Sequence, residues 1–121
     1  MKTTTPVLAF VAIPFALLTS LSAMAQREGV ANGAGMEVCH RLLTSIRNDR
    51  VDSSYTQWVV GYISAYNLFG EQKQVEDIPD EATMDAYLQK YCRSHPLDKV
   101  IWASMSLISE LGGYRPPYMK K

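Results

Sequence analysis

The reading of the chain turns on residues 53–70, SSYTQWVVGYISAYNLFG. The stretch holds no charged residue, although Asp52 precedes it and Glu71 follows it. Wound as a helix, it sets Tyr55, Trp58, Val59, Tyr62, Ile63, Tyr66 and Phe69 on one apolar and aromatic stripe. The opposite side carries Gln57, Gly61, Ser64, Ala65 and Leu68, mostly small enough for a second helix to pack closely. A helix wanted on two sides belongs in the middle of a bundle. This one is expected to be the hub of the core.

Working outward, the helical period recurs three times. Residues 36–47 place Cys39, Leu42, Leu43 and Ile46 on one face. Residues 81–93 do the same for Met84, Tyr87, Leu88, Tyr91 and Cys92, with Asp80 as the expected N-cap. A last helix is expected over 96–111, with Pro96 at its first position. Its broad arc contains Leu97, Val100, Ile101, Ser104, Met105, Leu107, Ile108 and Leu111, and Gly112-Gly113 stops it. Polar links over 48–54 and 71–80 join these segments, and Ser53 or Ser54 is the expected cap of the central helix. No repeat and no strand-like alternation occurs. The fold class that follows is all-α, a small single-domain bundle of about four helices.

The N-terminus reads as a leader. Lys2 precedes an apolar run over 7–21, and Ala23-Met24-Ala25 fits the small-x-small cleavage rule, so residues 1–25 are expected to be removed near Ala25-Gln26. The run is short and interrupted by Pro14, which argues against stable membrane insertion. An exported, periplasmic product is expected. Residues 26–35 then form a Gly- and Ala-containing flexible lead-in, 36–111 the helical domain and 112–121 a flexible tail. Without Lys2 the 12 acidic residues nearly balance the basic ones, and no basic patch supports nucleic-acid binding.

Cys39 and Cys92 are the only cysteines, each on the inward face of its own helix. In an exported chain a disulfide between them is the natural reading, with two buried thiols as the alternative. A redox site lacks its Cys-x-x-Cys pair. His40 and His95 each lie near a cysteine. Adjacent residues diverge by about 100° on a helix, however, and Pro96 directly follows His95, so no metal or other cofactor is expected. No nucleophile motif or phosphate-cradling loop appears, and the acidic pairs read as helix starts and surface charge. The chain is read as a non-enzyme. The aromatic residues remain: Trp58, Tyr62, Tyr66 and Phe69 as core or as a surface uncovered on loosening, and Trp102 as a residue off the apolar arc that either anchors a protein partner or covers a loop.

Two motifs carry a family resemblance, Trp-x-x-Gly-Tyr-x-x-x-x-Asn (Trp58, Gly61, Tyr62, Asn67) and Tyr-Cys-x-x-x-Pro (Tyr91, Cys92, Pro96). Together with the leader and the early Cys39, they make residues 36–111 resemble the small exported HdeA/HdeB-like bacterial proteins. The resemblance implies a disulfide between Cys39 and Cys92. It also implies a periplasmic acid-stress chaperone: a homodimer at neutral pH that dissociates and partly unfolds in acid to hold unfolding clients. Full protonation would take the mature chain from near −1 to about +14, which supplies self-repulsion for such loosening. The central segment is also similar to small periplasmic immunity proteins that neutralise one specific toxin or enzyme.

Overall fold

The computed structural model describes residues 2–6 and 30–117. Apart from residues 2–6, the expected leader lies outside the described residues, as do residues 26–29 and 118–121. A 3-10 helix, Ala34–Met36, is followed by α1 (Cys39–Thr44), α2 (Ser53–Phe69), α3 (Glu81–Ser94) and α4 (Val100–Glu110). Among the described residues there is no strand, only isolated bridges between Val38 and Lys99 and between Arg47 and Arg50. The protein is an all-α bundle, and a disulfide joins Cys39 to Cys92.

The first helix is much shorter than the period over 36–47 suggests. Glu37 and Val38 are extended, because their neighbourhood pairs with the α3–α4 link. The N–H of Cys39 donates to Asp98 O at 2.7 Å, that of His40 to Pro96 O at 2.9 Å, and that of Val100 to Glu37 O at 2.9 Å. Backbone groups spent on this pairing are not available to a helix. The same pairing delays α4, which starts at Val100 and not at Pro96. Leu97, expected on the apolar arc, is consequently 87% exposed.

Local caps set the other ends. Asp52, not Ser53 or Ser54, caps α2 by accepting the Ser54 N–H at 2.9 Å, and Asp80 caps α3 through the Thr83 N–H at 2.8 Å. Those hydrogen bonds, from Ser54 and from Thr83, hold both carboxyls below their usual range. Between α1 and α2, Asn48 (φ 50°) and Asp49 (φ 60°) turn the chain within a mutual Arg47–Arg50 hydrogen-bonded pair. Two successive left-handed residues are the requirement of a type I′ turn, and Asn and Asp tolerate it best after glycine.

The core gathers Cys39, Leu42, Val59, Ile63, Met84, Leu88, Cys92, Val100 and Ala103, all fully buried. α3 is its organiser, packing broadly on α1 and on α4, whereas α2 packs on α4 and the 3-10 helix and touches α3 only slightly. The expectation that α2 is the hub is therefore overturned. Tyr55, Val59 and Ile63 point inward, but Gln57, Gly61, Ala65 and Leu68 face solvent. A Cβ added at Gly61 would meet nothing within 4 Å.

The disulfide closes a loop with a sequence separation of 53. In the chain-entropy picture this is worth about 4 kcal/mol, comparable with the net stability of a small domain. Reduction, or the Cys39→Ala/Cys92→Ala double variant, should remove about 4 kcal/mol of unfolding free energy and lower the denaturant midpoint in proportion. Equilibrium urea unfolding with and without reductant measures it.

Candidate functional site

Three of the singled-out aromatics form one row along α2. Trp58 stacks on Tyr62, with ring centroids 5.3 Å apart and planes at 14°. The indole N–H of Trp58 donates to Asn32 O at 2.7 Å, and its ring lies against Gly33 and Gly35. A Cβ at Gly35 would fall 2.2 Å from that ring, so the close approach requires glycine there. Residues 33–36, assigned from sequence to a flexible lead-in and the start of the first helix, are thus a 3-10 turn packed beneath Trp58.

Tyr66 continues the row one turn beyond Tyr62. Its hydroxyl donates to Lys73 O at 2.5 Å and accepts the Tyr114 N–H at 2.8 Å. The first part of the expected flexible tail therefore folds back. Gly113 N–H bonds to Ile108 O, Arg115 Nε donates to Ser109 Oγ, and Pro116 is buried. Tyr62, Tyr66, Met105, Ile108, Tyr114 and Pro116 are among the residues that enclose a cleft of about 310 Å³. This is at the small end of ligand-sized cavities.

Phe69 does not join the row: it is 83% exposed, and Leu68 beside it is 76% exposed. With Val60, Gly61 and Ala65 they make the outward side of α2 uncharged and partly apolar along its 17 residues. Trp102 lies apart on α4, 38% exposed, one turn before Met105 of the cleft. Leu68 and Phe69, adjacent at the C-terminal end of α2, are the most exposed large apolar residues of the four helices. The signal available in the sequence was the absence of charge, which does not distinguish a buried face from an exposed one.

Tyrosine hydroxyls fasten elements to one another. Tyr55 of α2 donates to Glu37 Oε2 at 2.5 Å, and Tyr91 of α3 donates to Asp98 Oδ2 at 2.9 Å. Tyr87 of α3 donates to Ser106 Oγ at 2.9 Å and lies 3.3 Å from Glu110 Oε1, both on α4. Burial, reinforced by the Glu37 carboxylate, pushes the Tyr55 phenol up to about 12. Burial likewise pushes Tyr87 to about 12 and, with the Asp98 bond, raises Tyr91. A fourth joint uses Asp85, a buried carboxylate that accepts the Val51 N–H at 3.0 Å and the Gln89 Nε2 at 2.5 Å. Asp85 and Gln89 share the face of Leu88 and Cys92. Two polar residues inside an apolar stripe were the sequence signal that could have marked them.

Cys39 and Cys92 are bonded to each other and so are not ligands. His95 stacks on Tyr91, with centroids 4.4 Å apart, and its Nδ1 lies 3.0 Å from Tyr91 O. Among the described residues no group of three or more His, Cys, Asp or Glu could hold a metal ion, and no helix is long and apolar enough to cross a membrane. In comparisons with family models, curated proteins and solved structures, the chain matches none.

Two glycine variants separate the faces of this site. Gly35→Ala should displace Trp58 at a cost of about 1–3 kcal/mol. Gly61→Ala should stabilise the exposed helix by about 0.5–1 kcal/mol. Thermal unfolding followed by tryptophan fluorescence reads both. The raised phenols give an alkaline limit: a folded-state pKa above the ordinary 10 contributes stability fully below pH 10, and loses it as pH rises through about 12. Circular dichroism from pH 9 to 12 should show unfolding in that window, and Tyr87→Phe should make it shallower.

Proposed function

We propose that this is a non-enzymatic, exported protein-binding domain of HdeA-like type, active in the periplasm as an acid-stress chaperone for unfolding clients. The observation that carries the reading is the pair of aspartate caps, Asp52 on α2 and Asp80 on α3, whose carboxyls are held below their usual range by the hydrogen bonds from Ser54 and Thr83. Protonating a capping carboxylate removes the charge assistance from its bond to the helix start. Acid therefore weakens the starts of α2 and α3 together, while rising positive charge pushes the chain apart.

The disulfide gives the loosening a direction. α1 and α3 stay linked, and α2, α4 and the tail are the parts free to separate. Separation of α2 would uncover Trp58, Tyr62 and Tyr66 beside Val59 and Ile63, an apolar and aromatic surface suited to exposed segments of other chains. A homodimer at neutral pH, and clients in acid, are the partners this reading implies.

One observation favours a second reading. Leu68 and Phe69 are already exposed in the folded state, on an uncharged helix face. A dedicated immunity or inhibitor protein would use such a face, with Trp102 as a further anchor, to bind one toxin or enzyme without opening.

The two readings differ in acid. Asp52 and Asp80 have folded-state pKa values below the ordinary 3.8, so their stabilising contribution is present above that value and is lost as pH falls through the folded one. Near-UV circular dichroism and light scattering between about pH 7 and pH 2 should show tertiary structure lost below pH 4, with suppression of client aggregation over the same range. An unchanged near-UV spectrum at pH 2 with no suppression rules out the chaperone. In that case capture of a single tight partner at neutral pH supports the inhibitor.

A further inference from the structure

We propose that the cleft between the Asn48-Asp49 turn and α3 binds a small amino or hydroxy acid, its carboxylate held by the guanidinium groups of Arg50 and Arg93. The cleft has a volume of about 310 Å³ and lies on the side of α3 that carries Ala82, Ala86, Gln89 and Arg93. Alanines at i and i+4 leave the space open, since any longer side chain there would occupy it.

Arg93 is held in place from the core outward. Its Nη2 donates to Gln89 Oε1 at 2.7 Å, and Gln89 Nε2 donates to Asp85 Oδ1 at 2.5 Å and to Asp49 O at 2.8 Å. Asp85 and Gln89 are both buried, at 6% and 8% exposure. One of five guanidinium donors is used in this bond, and the fork left over suits a planar oxyanion. The Gln89 bond to Asp49 O also pins the left-handed turn that delivers Arg50 to the same cleft.

Charge selects the ligand. Among the described residues the ion pair present is Arg41 with Glu37, so no carboxylate lies within 4.0 Å of Arg50 or Arg93. Both oxygens of Asp85 are occupied, by Val51 N–H and by Gln89. What remains around the cleft is two cations and the exposed carboxylate of Asp49. An anion alone would leave Asp49 unanswered. A carboxylate that also carries an ammonium or hydroxyl group satisfies all three, and a second carboxylate lets each guanidinium take its own partner.

The test uses L-glutamate as the probe and glutarate, which lacks the ammonium group, as its comparison. Arginine Nε–Hε resonances of the full chain, followed during titration, should shift saturably at Arg50 and Arg93 with L-glutamate. Arg50→Gln and Arg93→Gln should each weaken binding at least about tenfold, the value of one charged hydrogen bond. Arg115→Gln, on the tail, should leave it unchanged, and circular dichroism of each variant verifies the fold. Glutarate should bind measurably more weakly than L-glutamate. No saturable shift with L-glutamate, or equal affinity in folded Arg50→Gln and Arg93→Gln, overturns the site; equal affinity for glutarate overturns the assigned ligand class.

Discussion

Everything else in the fold depends on the link between Cys39 and Cys92. α1 is six residues long, well short of what holds a helix together in water. It keeps its shape because one end is bonded to α3 and its approach is paired with the α3–α4 link. With α1 fixed, Leu42 joins Leu88 and Met84 in a core that a domain of this size could not otherwise make secure. α2 lies within the covalent loop but has no covalent tie of its own to the core. The cross-link thus divides the protein into a stapled pair, α1 with α3, and elements held by packing and hydrogen bonds.

Those hydrogen bonds share a chemistry. Tyr55, Tyr87 and Tyr91 join elements by giving a phenolic proton to a carboxylate or a hydroxyl beside one, and Asp85 ties α3 to the segment before α2. The tyrosine joints need their phenols protonated, and burial raises all three phenols. These fastenings therefore have an alkaline limit. Asn67 adds a joint without this dependence, using its side-chain amide on both sides of Val75 to dock the α2–α3 link.

α2 then has two sides with different surroundings. Its inner edge carries the row Trp58, Tyr62, Tyr66, roofed by the 3-10 helix at one end and by the C-terminal segment at the other. Its outer side carries Val60, Gly61, Leu68 and Phe69 in solvent. A protein that binds by opening would use the inner edge, and one that binds while closed would use the outer. The acid-labile caps of Asp52 and Asp80 favour the first, and the exposed Leu68 and Phe69 favour the second. Neither depends on the arginine-lined cleft, which is set by the buried Asp85–Gln89 pair of α3.

The sequence by itself determined where helices form, because period, caps and breakers act between near neighbours. Asp80 capped α3, Gly112-Gly113 ended α4, and the inward placement of Cys39 and Cys92 matched a pair able to bond. What only the tertiary structure decided was which faces are covered. The uncharged α2 read as a hub, yet its outer side met no neighbour, since absence of charge permits burial without causing it. Residues 36–38 and 96–99 carried helical patterns but paired with each other, a competition between segments far apart in the chain. Asp85 and Gln89 became buried for the same reason: the turn at Asn48-Asp49 arrived over them and took up their hydrogen bonds.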